Sequence, residues 1–340
     1  MNNNFRRSAL ALMFVSACAL CFAKSSKKDS KEKKSAPVWI SDQGRLSVFP
    51  NSDFVSALAE GSSPDEAKTK ALAAIAQSIK ASVSSQTKSR YSAAQDKYGI
   101  DKKKFIETSQ SVKSEGDIYM VETTAPFYDA SMGIYYCVAY INRNKAFEYV
   151  RPTLEKALEV FPTECEKVSA EDDGFKKILL TKRNLFLLKD FYSVYDFARF
   201  INMEEANKYN EVDRLCFVSL AKMNELKSTV ALSVKATGEG SQDIKECLKK
   251  ILNDEGFSLS DTQTTHVVAA EVSAQIIKSE KVFSSYPSVT VEVKRKSDGK
   301  LSASYSNKLG KTAAFDESGA KQKAVFAIKK DLETNFINKL

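Results

Sequence analysis

Residues 54–79 of the chain, FVSALAEGSSPDEAKTKALAAIAQSI, contain the pattern that decides the fold. Phe54–Ala59 is a short apolar run of the kind that forms a strand. Gly61-Ser62 predicts a turn, and Ser63–Glu66 (Ser-Pro-Asp-Glu) has the form of a capping box with proline at the first helical position. Small or apolar residues then recur at every fourth position from Ala67 to Ile79, so one helix face can lie close against a sheet. The stretch therefore predicts a strand, a turn and a helix of an α+β domain.

The segments around this stretch extend the same domain. Leu46–Phe49 is another short apolar run and predicts a strand. Ile118–Thr124 and Met132–Ile141 predict paired strands, and the second is apolar almost throughout, which is typical of a central strand. The polar stretch before them predicts helix only around Lys102–Val112. Asn142–Val160 predicts a helix after them.

Residues 151–228 contain few helix breakers and predict a helical segment. Within it, Leu185–Ile201 is apolar around most of its circumference, so a helix here needs burial on nearly all sides. It is either sandwiched within its own chain or buried against another protein, and we expect the first arrangement. Candidate interface residues for the second are Phe191 and Tyr195. Trp39, the only tryptophan in the chain, either packs on a sheet edge or contacts a partner.

After Thr229 the apolar pattern becomes alternating, which predicts a second sheet, and Asp298-Gly299 is a typical hairpin turn. The predicted strands are Thr229–Ala236, Val267–Ile277, Val289–Lys294 and Leu301–Ser306, and the predicted helices are Ser241–Glu255 and a last one from Asp316 to the C-terminus. The predicted fold class is therefore α+β. Two small domains with mixed or antiparallel sheets, 37–150 and 229–340, are joined by the helical segment 151–228.

Residues 1–23 have the three parts of a secretory signal peptide: a basic start, an apolar run and an abrupt change to polar residues at Lys24. Two processing sites compete. Small residues before the bond between Ala23 and Lys24 suit an ordinary cut. The sequence Val-Ser-Ala-Cys ending at Cys18 instead resembles a lipobox, in which Cys18 would be lipidated. We expect the ordinary cut, because the apolar residues after Cys18 are unusual at the start of a lipoprotein.

The formal net charge of +8 is concentrated near the N-terminus. Two of these charges belong to the signal peptide, and four belong to the segment 24–36, which has six lysines and two acidic residues. The rest of the chain carries only +2, too little for a groove that neutralises many phosphates, so we exclude nucleic acid as a partner. The segment 24–36 is almost free of apolar residues and predicts a flexible tether. Attraction of its lysines to anionic lipid headgroups is the alternative interpretation.

The sequence offers little for catalysis. The single histidine, His266, abuts an apolar strand and predicts an exposed or capping residue. With one histidine and scattered cysteines, we expect neither a metal site nor a cofactor. Ser318 and Lys321 have the Ser-x-x-Lys spacing of penicillin-binding enzymes, but the companion motifs do not occur. We expect a protein that is not an enzyme, and a secreted serine hydrolase that uses Ser318 and Lys321 is the alternative.

Several of these residues resemble one known family. Pro37-x-Trp39, the strand and turn that lead to Ala67, and Tyr135–Arg143 (YYCVAYINR) are similar to the LPP-twenty family of bacterial outer-membrane lipoproteins. The resemblance covers about residues 37–150. The chain departs from the family at Ala57–Ala59, where members often carry glycine or valine, and in its weak lipobox.

The resemblance implies a non-enzymatic cell-envelope protein of a bacterium with a double membrane, located in the periplasm or at the outer membrane. It implies partners among other envelope proteins, including the flagellar apparatus at the surface. Contact with the membrane is then expected only through an N-terminal lipid anchor at Cys18. The family has no catalytic residue to carry over to this chain.

Four cysteines follow the signal peptide: Cys137, Cys165, Cys216 and Cys247. Export to an oxidising compartment is compatible with disulfides. We nevertheless expect free thiols, because a chain of this length can bury a core without covalent links. If one bridge forms, we predict that it joins Cys165 to Cys216, since both lie in the helical segment.

Processing of the N-terminus gives a direct test. We expect the intact mass of the mature protein to begin at Lys24, and Cys18→Ser to leave processing unchanged, because Cys18 is then removed with the signal peptide. Mass spectrometry of the protein purified from expressing cells measures this. Incorporation of labelled palmitate that is lost in Cys18→Ser would contradict the prediction and identify Cys18 as a lipidated N-terminus.

Overall fold

Two β-sheets, separated along the chain by a series of helices, make up the computed structural model, which describes residues 35–98 and 120–340. Pro37–Leu340 form one compact unit. The predicted signal peptide with Cys18, the tether up to residue 34 and the predicted helix at Lys102–Val112 lie outside the described residues.

The first sheet is antiparallel, with β4 at its centre. Its strands are β1 (Phe54–Gly61), β2 (Val121–Thr123), β3 (Phe127–Asp129) and β4 (Ile134–Asn142). β1 pairs with one side of β4, and the short strands β2 and β3 pair with the other. Cys137–Ala139 and Ile141 of β4 are fully buried. The prediction that this apolar strand is central is therefore confirmed.

Helix α2 (Pro64–Tyr98) packs its small-residue face against β1 and β4. Ala67, Ala71 and Ile75 have no exposed surface there. Alanine leaves room for the helix backbone to approach the sheet, as the four-residue spacing predicts. The helix is longer than predicted, because it continues to Tyr98 through a stretch without a clear apolar period.

The turn into α2 combines a side-chain cap with a close backbone approach. Ser63 Oγ accepts a hydrogen bond from the Glu66 N–H at 3.2 Å, as a capping box requires. The Glu66 carboxylate accepts a hydrogen bond from the Ser62 N–H at 2.7 Å, one residue earlier than in the standard box. A Cβ atom on Gly61 would lie 2.5 Å from the nitrogen of Ala67, so only glycine fits this turn. The strand–turn–helix prediction is confirmed.

The prediction of a strand at Leu46–Phe49 is wrong, because most of these residues belong to helix α1 (Asp42–Val48). Ser41 caps the helix, and its hydroxyl accepts a hydrogen bond from a main-chain N–H three residues later at 3.1 Å. Leu46 and Val48 are 41% and 44% exposed. The apolar run is thus largely solvated, and the cap determines the local structure.

Between Arg143 and Thr229, where every residue is described, the chain forms five helices. They are α3 (Arg143–Ala170), α4 (Gly174–Leu187), α5 (Lys189–Ile201), α6 (Met203–Ala206) and α7 (Asn210–Thr229), with a 3-10 turn at Asn207–Tyr209. The apolar run Leu185–Ile201 is therefore not one helix, because α4 ends before Leu188 and α5 begins after it. Leu188 is buried, whereas Phe186 and Leu187 are exposed. The break turns α5 so that its apolar side chains enter the core.

The second sheet is mixed. Its strands are β5 (Ala231–Gly238), β6 (Ser258–Leu259), β7 (His266–Lys278), β8 (Phe283–Arg295), β9 (Leu301–Lys308) and β10 (Thr312–Ala314). The order is β10-β8-β7-β5-β6, with β9 also paired to β8. β5 is parallel to β6 and β7, because helix α8 (Ser241–Asp254) crosses over after it, and the other pairings are antiparallel. The predicted α+β class with antiparallel and mixed sheets is confirmed.

The end of the chain follows the predicted order of turn, strand and helix. Gly299 adopts a φ of +71° in the hairpin between β8 and β9, as the Asp-Gly pair predicts. Ala320, Ala324 and Ile328 are fully buried on the face of the last helix that packs against β8. The bounds are α9 (Glu317–Asp331), a π-helical turn (Leu332–Phe336) and α10 (Ile337–Lys339).

One hydrophobic core connects both sheets and the helices between them, from Ala67 to Phe336. The division into separate domains after residues 150 and 228 stays a prediction. Across residues 35–98 and 120–340, none of the helices has the length and the apolar run needed to cross a membrane.

The close contact of α2 with the first sheet predicts a size limit at Ala71. Ala71→Leu should lower the free energy of unfolding by about 1–3 kcal/mol, because the larger side chain has no space at this buried position. Ala73→Leu, on the exposed face of the same helix, should change it by less than about 0.5 kcal/mol. Urea unfolding measures both. Equal effects would contradict the packing of this face.

Candidate functional site

A buried charge network joins α2 to the helical segment. Arg90 of α2 is buried, and its guanidinium nitrogens lie 3.0 Å from the Asp196 carboxylate of α5 and 2.8 Å from the Asp213 carboxylate of α7. Thr87 donates a hydrogen bond to Asp196 at 2.8 Å, and the Tyr192 hydroxyl donates one to Asp213 at 2.8 Å. The guanidinium also lies 5.0 Å from the centre of the Tyr192 ring.

The electrostatics of this network favour a structural role. Burial lowers the pKa of Arg90, but the charges of Asp213 and Asp196 outweigh it and raise the pKa above its usual value. The arginine therefore stays protonated and bonded to both carboxylates. None of these residues lines either of the two cavities described below. The network positions α2 and offers no reactive group to a ligand in those cavities.

His266 is 3% exposed, so the prediction of an exposed or capping histidine is wrong. Its Nε2 lies 3.1 Å from Asp173 Oδ1, and its Nδ1 lies 3.0 Å from Thr265 Oγ1. The Ser302 hydroxyl donates a hydrogen bond to the other Asp173 oxygen at 2.6 Å. Ser302 thus bonds the carboxylate and not the histidine, which differs from a serine activated by an imidazole base.

Asp173 is the centre of this group. Burial raises the pKa of its carboxyl, but hydrogen bonds from Ser302 and from the Lys176 N–H, together with His266, outweigh burial and hold the pKa below its usual value. Asp173 also caps α4, since its Oδ1 accepts the bond from Lys176 at 2.9 Å. In the described part of the chain, no three His, Cys, Asp or Glu residues are grouped to hold a metal ion.

Ser318 and Lys321 line an open cavity of about 370 Å³ between α8 and α9. The Lys321 ammonium lies 3.1 Å from the Glu317 carboxylate and 3.7 Å from that of Glu239. The hydrogen bond with Glu317 and the charge of Glu239 raise the pKa of Lys321. A lysine that serves as a general base needs a lowered pKa, so this arrangement does not activate Ser318.

Phe191 and Tyr195 are 1% and 0% exposed, so their prediction as interface residues is wrong. Their rings stack with centres 4.6 Å apart, and the Tyr195 hydroxyl donates a hydrogen bond to Asn210 at 2.6 Å. The expectation of burial within its own chain is confirmed for the apolar residues of α5 but not for Phe186 and Leu187, which are exposed. Trp39 is half-buried in a 3-10 turn beside Val38, which is 66% exposed, and its role as an interface residue stays a prediction.

All four cysteines of the described chain are free thiols in the structure. Cys165 on α3 is half-buried, with its sulfur 3.6 Å from the Ser219 hydroxyl, whereas Cys216 on α7 is buried. Burial raises the pKa of the Cys216 thiol to about 12. A bridge between Cys165 and Cys216 under oxidising conditions stays a prediction.

The candidate binding site is a groove of about 420 Å³ between α3, α4 and α7, which we call the helical groove. Its volume lies within the range of about 300–1,000 Å³ that is typical of small-molecule pockets. Its polar and charged lining residues are Cys165, Ser169, Lys177, Thr181, Asn184, Ser219, Lys222, Glu225 and Thr229, and its apolar ones are Phe161, Val168, Leu215, Val218 and Leu226. The sequence did not predict this site, because it exists only through the spacing of three helices.

Comparisons with known proteins leave the family open. No family model and no curated protein matches the chain. A secreted protein from Helicobacter pylori is 17% identical over 83% of this chain and 98% of its own, with a TM-score of 0.34. A minor lipoprotein from Acinetobacter baumannii is 14% identical over 33% of this chain and 91% of its own, with a TM-score of 0.25. A lipoprotein from Neisseria meningitidis is 10% identical over 31% of this chain and 99% of its own, with a TM-score of 0.23. Likenesses at this level assign neither family nor activity.

The buried network predicts a large effect at Arg90. Arg90→Met should lower the free energy of unfolding by about 3–5 kcal/mol, because two buried carboxylates lose their cation. Arg214→Met removes an exposed arginine bonded to Glu211 and should cost less than about 1 kcal/mol. Chemical unfolding measures both variants. If Arg90→Met costs no more than Arg214→Met, the network does not hold α2 in place.

Proposed function

We propose that this chain is a non-enzymatic exported protein of the cell envelope that docks other envelope components. The main support for this proposal is the order of the segments at the N-terminus. A secretory signal is followed by a lysine- and serine-rich segment, and the compact unit begins at Pro37, where that segment ends. Such a spacer suits a protein that works beside a membrane while its fold stays in the aqueous phase.

The finer part of the proposal concerns family and location. The resemblance of residues 37–150 to the LPP-twenty family favours the periplasm or the outer membrane of a bacterium with two membranes. It also favours envelope proteins as partners, with the flagellar apparatus among them. The central strand β4, which includes Tyr135–Asn142 of the resembling stretch, and the cap at Ser63 support the structural side of this resemblance.

Trp39 is the residue that we assign to docking. It lies two residues after the start of the compact unit, next to the exposed Val38, so it is placed where the tether meets the fold. An aromatic ring at such a position supplies apolar contact area with little loss of side-chain entropy. The hydrolase alternative is weaker, because the partners of Lys321 raise its pKa.

Site-specific cross-linking in cells tests the proposal. With a photo-reactive amino acid at position 39, we expect the chain in the envelope fraction and a discrete cross-linked product. The same amino acid at Lys156, an exposed position on α3, should give little product. Recovery of only the uncomplexed monomer would count against docking. Labelling by a serine-reactive acylating probe that is lost in Ser318→Ala would overturn the non-enzymatic assignment.

A further inference from the structure

The helical groove contains a buried amide that is free to bind a ligand. Asn184 of α4 lines the groove and is 5% exposed. Its side chain makes no hydrogen bond to any part of the chain that the structure describes. Thr181, one turn earlier, is satisfied, since its hydroxyl donates to the Lys177 carbonyl at 2.8 Å. Its amide is not among the fully enclosed unbonded polar atoms, so solvent reaches it through the groove and a ligand group would replace water there.

The lining of the groove also carries charged side chains, and one of them, Lys177, is separated from this amide along α4. Lys177 precedes Asn184 by seven residues on the same face of α4, which separates them by roughly 10 Å along the helix axis. Lys222 of α7 lines the groove as well, and neither lysine forms an ion pair with any described residue. Glu225 is the single acidic residue of the lining. Two cations against one carboxylate favour an anionic group on the ligand.

Five of the fourteen lining residues are apolar, and they form the walls between these polar groups. Phe161 from α3 and Leu215, Val218 and Leu226 from α7 line the groove, and Phe161 is buried. A ligand that follows the groove therefore gains affinity from apolar contact as well as from the polar groups. It also needs a polar group at each end to match Asn184 and Lys177.

We propose that the helical groove binds the carboxyl-terminal end of a short apolar peptide. An asparagine side chain both donates and accepts hydrogen bonds, and a peptide amide is the common group that satisfies both. An extended peptide advances about 3.3 Å per residue, so an amide about three residues before the free carboxylate lies roughly 10 Å from it. The carboxylate then meets Lys177, Lys222 adds positive charge to the lining, and apolar side chains contact Phe161 and Leu215. This site is separate from the docking residue Trp39.

Cys165 provides the measurement. It lines the groove and is half-buried, whereas the other three cysteines of the described chain are buried, so alkylation of the native protein reports on Cys165. The probes are acetyl-Ala-Leu-Leu with a free carboxylate, the same peptide with an amidated C-terminus, and octanoate. We expect the free peptide to slow iodoacetamide alkylation in a saturable way. The amidated peptide should need an about tenfold higher concentration for the same protection, because it lacks one charge-assisted contact.

Matched variants locate the site. Asn184→Leu should weaken protection by the free peptide about tenfold, as should Lys177→Gln combined with Lys222→Gln. Lys156→Gln, which also removes a lysine charge but outside the groove, should leave protection by the free peptide unchanged. The lysine variants change only the rim, so they test the proposal even if Asn184→Leu unfolds.

Three results would overturn the proposal: no protection by either peptide, equal protection by both with the lysine variants unchanged, or octanoate protecting as well as the free peptide. The last result would mark a general amphiphile site.

Discussion

The structure depends on the requirement that the buried charge of Arg90 be neutralised. An unpaired guanidinium in the interior is too costly, so Asp196 and Asp213 must come to it from two other helices. Arg90 lies 19 residues after Ala71, roughly 28 Å along the axis of α2. One half of this helix therefore packs on the first sheet, and the other half is fixed among α5 and α7. Helix α2 therefore fixes the first sheet relative to the helical segment.

The second sheet is attached to the helical segment by a similar use of polar groups. Asp173 caps α4 and also bonds His266 and Ser302 of the second sheet. Its neighbour Asp172 pairs with Arg295 of β8 at 3.1 Å. Such pairs add little net stability compared with apolar contacts of the same shape, but loss of one partner of a buried pair leaves an uncompensated charge. The polar contacts therefore penalise any displacement of the second sheet that would separate His266 from Asp173.

The parts of the fold that follow from local chemistry could be predicted from the sequence. The cap at Ser63, the hairpin at Gly299 and the central position of β4 each depend on residues within a few positions of one another. The strand prediction for Leu46–Phe49 was wrong because only Phe49 of this run is buried, so the run gains little from burial while the helix gains a cap at Ser41. The prediction of an exposed or capping His266 was wrong because its partner, Asp173, lies 93 residues away in the sequence.

The same limit applies to the helical segment and the candidate site. Periodicity showed that Phe191 and Tyr195 need burial, but not that their neighbours belong to the same chain. The break at Leu188 was also invisible, because no glycine or proline stands at it. The helical groove is a property of three helices at once, and a motif in a single helix does not reveal it.

The two kinds of polar residue in the helical segment explain how a rigid frame and an open groove coexist. Charged groups inside the fold, such as Arg90 and Asp173, are bonded to other helices or strands and so hold those elements at fixed positions. Asn184 is neutral, and its free amide faces a space that the fixed helices leave unfilled. Because the frame is already held by buried charges, a ligand in the groove would order few further residues. Little of its binding energy would then be lost to reorganisation, which is the condition under which a small apolar peptide can bind measurably.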